Sequence, residues 1–171
     1  MNVYGMKRFA IVGSGGSGKT WLANRLGDAL GIDVVHLDYL YYSGEQTRDY
    51  REFTRMQESV TEGERWIIEG NYVSSLPTRL ARAEVVILVD VHPLICAWSI
   101  LSRQLSRPQK GARNVLSIRF LWYVLRFRAQ MRPRVLEQVS RCLTERDDLV
   151  FIWLRGRRQS RGFAGHAKRA V

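Results

Sequence analysis

Phe9-Ala10-Ile11-Val12 runs directly into Gly13-Ser14-Gly15-Gly16-Ser17-Gly18-Lys19-Thr20, and then into Trp21-Leu22-Ala23-Asn24-Arg25-Leu26. The middle eight residues satisfy G-x-x-x-x-G-K-[ST] in full, the pattern of a phosphate-binding loop. A match by chance arises in roughly one chain in a few hundred at ordinary glycine content. The flanks narrow the odds further: a buried apolar strand comes before, and a helix with Leu22, Leu26, Ala29 and Leu30 at helical spacing follows. The residue types have a reason. Glycines let successive N–H groups point inward as an anion nest. The helix N-terminus adds partial positive charge. Gly13, Ser14, Gly15, Gly16, Ser17, Gly18, Lys19 and Thr20 are therefore expected to hold ATP. Lys19 reaches the outer phosphates, and Thr20 offers its hydroxyl to Mg²⁺.

Outward from the loop, strands alternate with helices. Gly31 stops the first helix. Asp33–Asp38 reads as a second strand and Tyr50–Glu62 as a helix ended by Gly63. Trp66–Glu69 is a third strand, Leu76–Ala83 a short helix or turn, and Val85–Val89 a fourth strand. Pro93–Arg107 reads as a helix and Leu149–Leu154 as a fifth strand. The strands are continuous apolar runs, which is how a parallel sheet covered on both faces reads. The expected fold is α/β, a three-layer P-loop arrangement with five parallel strands. Residues 1–158 are expected to form one unit, with an Arg-rich helical lid at about 103–134 and a basic tail at 159–171 that lacks an apolar helix. Within the lid, Leu116–Met131 reads as a helix that Pro133 ends or kinks, with a second helix to about Glu145.

The chain has 171 residues, 46% hydrophobic and 25% charged, which excludes a disordered protein. Its net charge of +11 is uneven. Residues 1–100 carry 10 basic and 12 acidic residues, whereas residues 101–171 carry 17 and 4. Such a field attracts phosphates, nucleic acid or a membrane surface. Val85–Leu101 is broken by Asp90, His92 and Pro93, so it is no membrane span. No secretory leader is read, since Met1–Gly5 leads at once into the motif-bearing strand. A soluble cytoplasmic protein without a membrane partner is expected. Cys96 and Cys142 match no metal spacing and read as reduced thiols. His36, His92 and His166 are isolated, so no zinc site is expected and each reads as a hydrogen-bonded structural histidine.

The loop, the HLD segment ending at Asp38, the EGNY segment Glu69–Tyr72 and the basic stretch after the fourth strand resemble a small P-loop kinase of the adenylate-kinase-like class. They are most similar to the DNA topology modulation proteins, over roughly Lys7 to Arg158. The resemblance to P-loop kinases implies the strand order 2-3-1-4-5, and ATP-dependent phosphoryl transfer to a small acceptor, with a nucleoside monophosphate leading. It implies that Asp38 holds or deprotonates the acceptor, against the plain reading of a cap on the next element. It places Glu69 as the acid behind a Mg²⁺-bound water, with Asp90 as the rival or as a cap on the following helix. Asn71 and Tyr72 are expected beside the acceptor, with packing an equal reading for Tyr72. Arg103, Arg107, Arg126 and Arg132 are the arginines expected to clamp the transferring phosphoryl group. Arg155, following the last strand, is expected with the nucleotide. Two other readings of residues 103–134 stand beside the lid: a nucleic-acid surface in an ATP-gated binding protein, and a largely structural face. The absence of any acid in that stretch speaks against the latter as a full account.

Overall fold

The computed structural model describes residues 3–44, 46–106 and 118–170. Counted with a small hairpin, seven strands and seven helices follow in chain order: β1 (Arg8–Gly13), α1 (Lys19–Leu30), β2 (Val34–His36), α2 (Leu37–Tyr41), β3 (Tyr42–Ser43), β4 (Gln46–Thr47), α3 (Tyr50–Glu62), β5 (Trp66–Glu69), α4 (Leu76–Leu80), β6 (Val85–Val89), α5 (Pro93–Ser106), α6 (Ile118–Glu145), β7 (Val150–Leu154) and α7 (Arg157–Ala170). The main sheet runs β2-β5-β1-β6-β7 and every pair is parallel. Taken alone, its five strands stand in the expected order, second, third, first, fourth, fifth.

The period of two along each strand divides the core. Phe9, Ile11, Ile67, Val85, Ile87 and Val89 face one layer, with Leu22 and Leu26 of α1, Cys96 of α5 and Ala167 of α7. Ala10, Val12, Ile68, Val86 and Leu88 face the other, with Phe53 of α3, Leu80 of α4 and Val139 of α6. Phe9 to Val12 are wholly buried, as are Val85 to Val89. Each such aliphatic side chain stabilises the fold by roughly 1.5–3 kcal/mol relative to exposure. This is why the apolar runs read as unbroken: both faces of every central strand are covered.

The register places the chemistry. Ile11 lies opposite Glu69 and Gly13 opposite Val89, so the carboxyl end of β1 opens into the loop between two acids, Glu69 and Asp90. Ligands of open α/β sheets gather at this edge.

Three expectations need correction. Strand β2 ends at His36, and Asp38 lies in the first turn of α2 rather than on a strand. Pro133 does not end its helix: α6 continues through it to Glu145. A proline inside a helix removes one N–H bond and crowds the preceding turn. Buried Val124 and Phe127 before it, and Val135 and Val139 after it, hold both halves against the core. The C-terminal segment is a helix, α7. It packs Ala164 and Ala167 into the core beside α1. No described helix is long and apolar enough to cross a membrane.

Candidate active site

The phosphate loop wraps the start of α1. Gly18 caps that helix with φ 92°, a left-handed conformation that any side chain would oppose. Gly16 has φ 74°, and a Cβ there would stand 2.3 Å from the Cys96 carbonyl oxygen, so the loop packs backbone against backbone on α5. Ser14 and Ser17 are 3% and 1% exposed, and their hydroxyl oxygens have no protein partner. Buried polar atoms without partners are rare, and in a loop of this shape they fit phosphate oxygens.

Glu69 gathers what lies beneath the loop. Its carboxylate accepts from Thr20 Oγ1 at 2.9 Å and from His36 Nδ1 at 2.9 Å, and lies 3.3 Å from Lys19 Nζ. Burial alone would raise the Glu69 pKa. The Lys19 charge and the bonds from His36 and Thr20 more than offset it and hold the carboxyl below its ordinary range. The carboxylate is thus charged, and Nδ1 of His36 carries the proton. The Thr20 hydroxyl and the Lys19 ammonium thus share a single acid, an arrangement that suits Mg²⁺ and a triphosphate.

Asp90 stands on the other side of β1, and among the described residues its side chain accepts from no helix backbone N–H. It accepts from Arg128 Nε at 2.8 Å, Arg132 at 3.2 Å and Trp153 Nε1 at 3.2 Å. Burial would raise this carboxyl, yet the two arginines hold it below the ordinary aspartate range.

A second group stands across the opening. Asp38 is exposed, and the Tyr72 hydroxyl donates to its Oδ1 at 2.9 Å. Asn71 donates from Nδ2 to the Tyr123 hydroxyl. Burial, with the Asp38 charge adding to it, pushes Tyr123 up to about 12 and Tyr72 beyond it, so both remain neutral hydroxyls. Tyr72 also packs on Phe53 and Tyr41, at centroid distances of 4.8 and 5.2 Å, so both of its expected roles hold together.

Beneath these residues lies Arg79, wholly buried, which the sequence reading passed over. Its guanidinium donates to the carbonyls of Gly70 at 3.0 Å, Tyr72 at 3.1 Å and Asn71 at 3.3 Å. It fixes the turn that presents Asn71 and Tyr72.

A cavity of about 770 Å³ runs between the phosphate loop, Asp38, α5 and the start of α7, and Glu69, Asn71 and Tyr72 do not line it. Lys19, Thr20, Asp38 and Arg103 all line it. Arg157 and Arg161, at the start of α7, line it too, and Arg157 bonds the Gly16 carbonyl at 3.2 Å and the Ser99 hydroxyl. The other expected arginines go elsewhere. Arg132 is held by Asp90, Arg126 is exposed over the Trp122 ring at 5.0 Å, and Arg155 lies over Trp153 at 4.5 Å. Arg107 lies outside the described residues. Arg157, two positions after the expected Arg155, is the arginine that reaches the phosphate loop. The run Arg155-Gly156-Arg157-Arg158 was the only signal available.

No family model matches the sequence. No relative is found among curated proteins. Solved structures do match, across almost the whole chain. A shikimate kinase from Acinetobacter baumannii in complex with shikimate has a TM-score of 0.59 at 14% identity, covering 98% of this chain and 94% of its own. The shikimate kinase from Bacteroides thetaiotaomicron gives 0.55 at 15%, covering 96% and 98%. That from Aquifex aeolicus gives 0.51 at 13%, covering 95% and 94%. The chain has the fold of the P-loop shikimate kinases.

Proposed function

We propose that the protein transfers a phosphoryl group from ATP to a small molecule. One observation carries the reading: the motif residues Lys19 and Thr20 share a single cavity with an exposed carboxylate, Asp38. ATP with Mg²⁺ supplies the transferable group. Residues Gly13–Thr20 would hold its phosphates, and Thr20 with Glu69 would hold the metal, Glu69 through a water. Lys19 and Arg103 neutralise charge on the phosphoryl side. Asp38 orients the acceptor hydroxyl and takes its proton, while Asn71 and Tyr72 fix the acceptor's position. His36 keeps Glu69 oriented.

The acceptor is a nucleotide or a similar phosphate or hydroxyl compound. The nucleoside monophosphate rests on the resemblance of the loop, HLD and EGNY segments to the DNA topology modulation proteins. The hydroxyl acceptor draws support from the neutral tyrosines around Asp38, and from shikimate in one structural neighbour. The test is ADP release with ATP, Mg²⁺ and a panel of nucleoside monophosphates and hydroxylated metabolites. Lys19→Ala should abolish the acceptor-dependent signal while the fold survives. Wild-type turnover in that variant would refute the assignment.

A further inference from the structure

Helix α5 has two faces. Cys96, Ala97 and Ile100 are buried, while Leu94, Ile95, Trp98 and Leu105 lie in one stripe opposite them, 65%, 46%, 68% and 80% exposed. At roughly 100° per residue that stripe spans about a quarter of the helix circumference. Helix α6 packs on α5 and repeats the pattern. Val124 and Phe127 point inward, while Ile118 and Trp122 are 77% and 54% exposed. Helix α5 and the first turns of α6 thus hold six of the large apolar side chains that the described residues leave in water. Isolated exposed leucines are ordinary, but a run of them with two tryptophans marks an interaction surface.

The charge around the stripe selects the occupant. No acidic residue occurs from Val91 to Leu136. Arg119 is exposed beside Ile118, and Arg126 lies over Trp122. Arg128 and Arg132 are both engaged by Asp90, so they do not belong to this surface. A second copy would bring the same acid-free face against itself and leave both arginines without a counter-charge. Nucleic acid would satisfy the arginines, yet it offers nothing to Leu94, Ile95, Leu105 and Ile118, which cannot stack on bases.

We propose that the outer face of α5 and the first turns of α6 dock on an anionic lipid surface. The aliphatic side chains enter the acyl boundary, Trp98 and Trp122 sit at headgroup depth, and Arg119 and Arg126 meet lipid phosphates. Each arginine near such a surface adds to the attraction, screened by salt. The membrane is not spanned. Of the cavity residues on α5, Ile100 and Arg103 lie on another side of the helix, whereas Ser102 lies within the stripe beside Trp98 and Leu105, so the cavity opens next to this face; lipid docking does not rest on the phosphoryl-transfer reading.

The experiment is flotation of the full chain with vesicles of phosphatidylcholine alone and of phosphatidylcholine with phosphatidylglycerol. It is run at low and high salt, with Trp98→Ser/Leu105→Ser as the variant. Both substituted side chains are exposed, so the variant should keep the wild-type melting temperature and nucleotide affinity. Wild type should bind the phosphatidylglycerol vesicles, more weakly at high salt, and the variant should lose about tenfold or more in affinity. Absence of wild-type binding to these vesicles would overturn the proposal. So would equal binding by the variant, which would mean charge alone. A concentration-dependent dimer that the variant abolishes would assign the face to a second copy instead. Protection of the face by an acidic protein or an oligonucleotide, without lipid binding, would assign it to that partner.

Discussion

Arg79→Met offers a sharp test of how the acceptor side is built. The side chain is wholly buried and forms no ion pair among the described residues; its charge is spent on three carbonyls of residues 70–72. Burial pulls its pKa down to about 9, against a rise from the Glu69 charge, so it remains protonated at neutral pH. Methionine keeps much of the stem but removes every donor. A hydrogen bond to a charged group contributes about 1.5–3 kcal/mol, and losing three leaves buried carbonyls unsatisfied. Relief of the guanidinium's desolvation offsets part of this. A net loss of about 3–4 kcal/mol is expected, close to the cost of breaking a buried polar network. For a chain of this length that lowers the melting temperature by about 10 °C. Arg79→Lys keeps the charge but reaches fewer carbonyls and should lose about half as much. The functional consequence is separable. Lys19 and Thr20 belong to α1, so a fluorescent ADP analogue should bind both variants like wild type below their melting points, while acceptor-dependent turnover falls. Urea unfolding and nucleotide titration check the two halves. If Arg79→Met loses less than about 1 kcal/mol, the guanidinium does not hold the turn and the reasoning fails.

Gly16→Ala should lose nucleotide binding and about 2 kcal/mol or more of stability, because φ 74° and a Cβ 2.3 Å from the Cys96 carbonyl both oppose it; an unchanged melting curve would contradict the packing. Asp38→Asn should keep nucleotide affinity within about twofold while acceptor turnover falls about 100-fold or more; wild-type turnover would remove Asp38 from the chemistry. The Asp90 carboxyl lies lower in the folded chain than in the unfolded one, so its stabilisation is present above the unfolded value near pH 4 and is lost as pH falls through the folded value. Arg128→Met should therefore flatten the fall in urea midpoint below about pH 4, and an identical acid limb in wild type and variant would refute the pairing.

Gly13–Thr20 could be read in advance because a contiguous loop states its own geometry: the glycines, the lysine and the hydroxyl sit at fixed spacing whatever surrounds them. The parallel sheet followed from continuous apolar runs joined by helices, and its strand order from the resemblance to P-loop kinases. Arg79 was invisible for the opposite reason. Its helix is five residues long, too short to show a face, and an arginine in Leu-Pro-Thr-Arg-Leu reads as solvated. The C-terminal helix was missed because Ala164 and Ala167 bury without looking apolar, and Gly162 and Gly165 argue against a helix. Packing on α1 overrode that propensity. The two acids beside β1 show where local reading ends. The sheet brings Glu69 and Asp90 to equivalent places at its carboxyl edge, and nothing next to either residue says which faces Lys19. Partners far along the chain separate them. Arg128, Arg132 and Trp153, 38 to 63 residues later, saturate Asp90, whereas Glu69 is met by Lys19, Thr20 and His36. The acid left with the loop's lysine and hydroxyl is the one whose far neighbours bring no competing arginine within hydrogen-bonding reach.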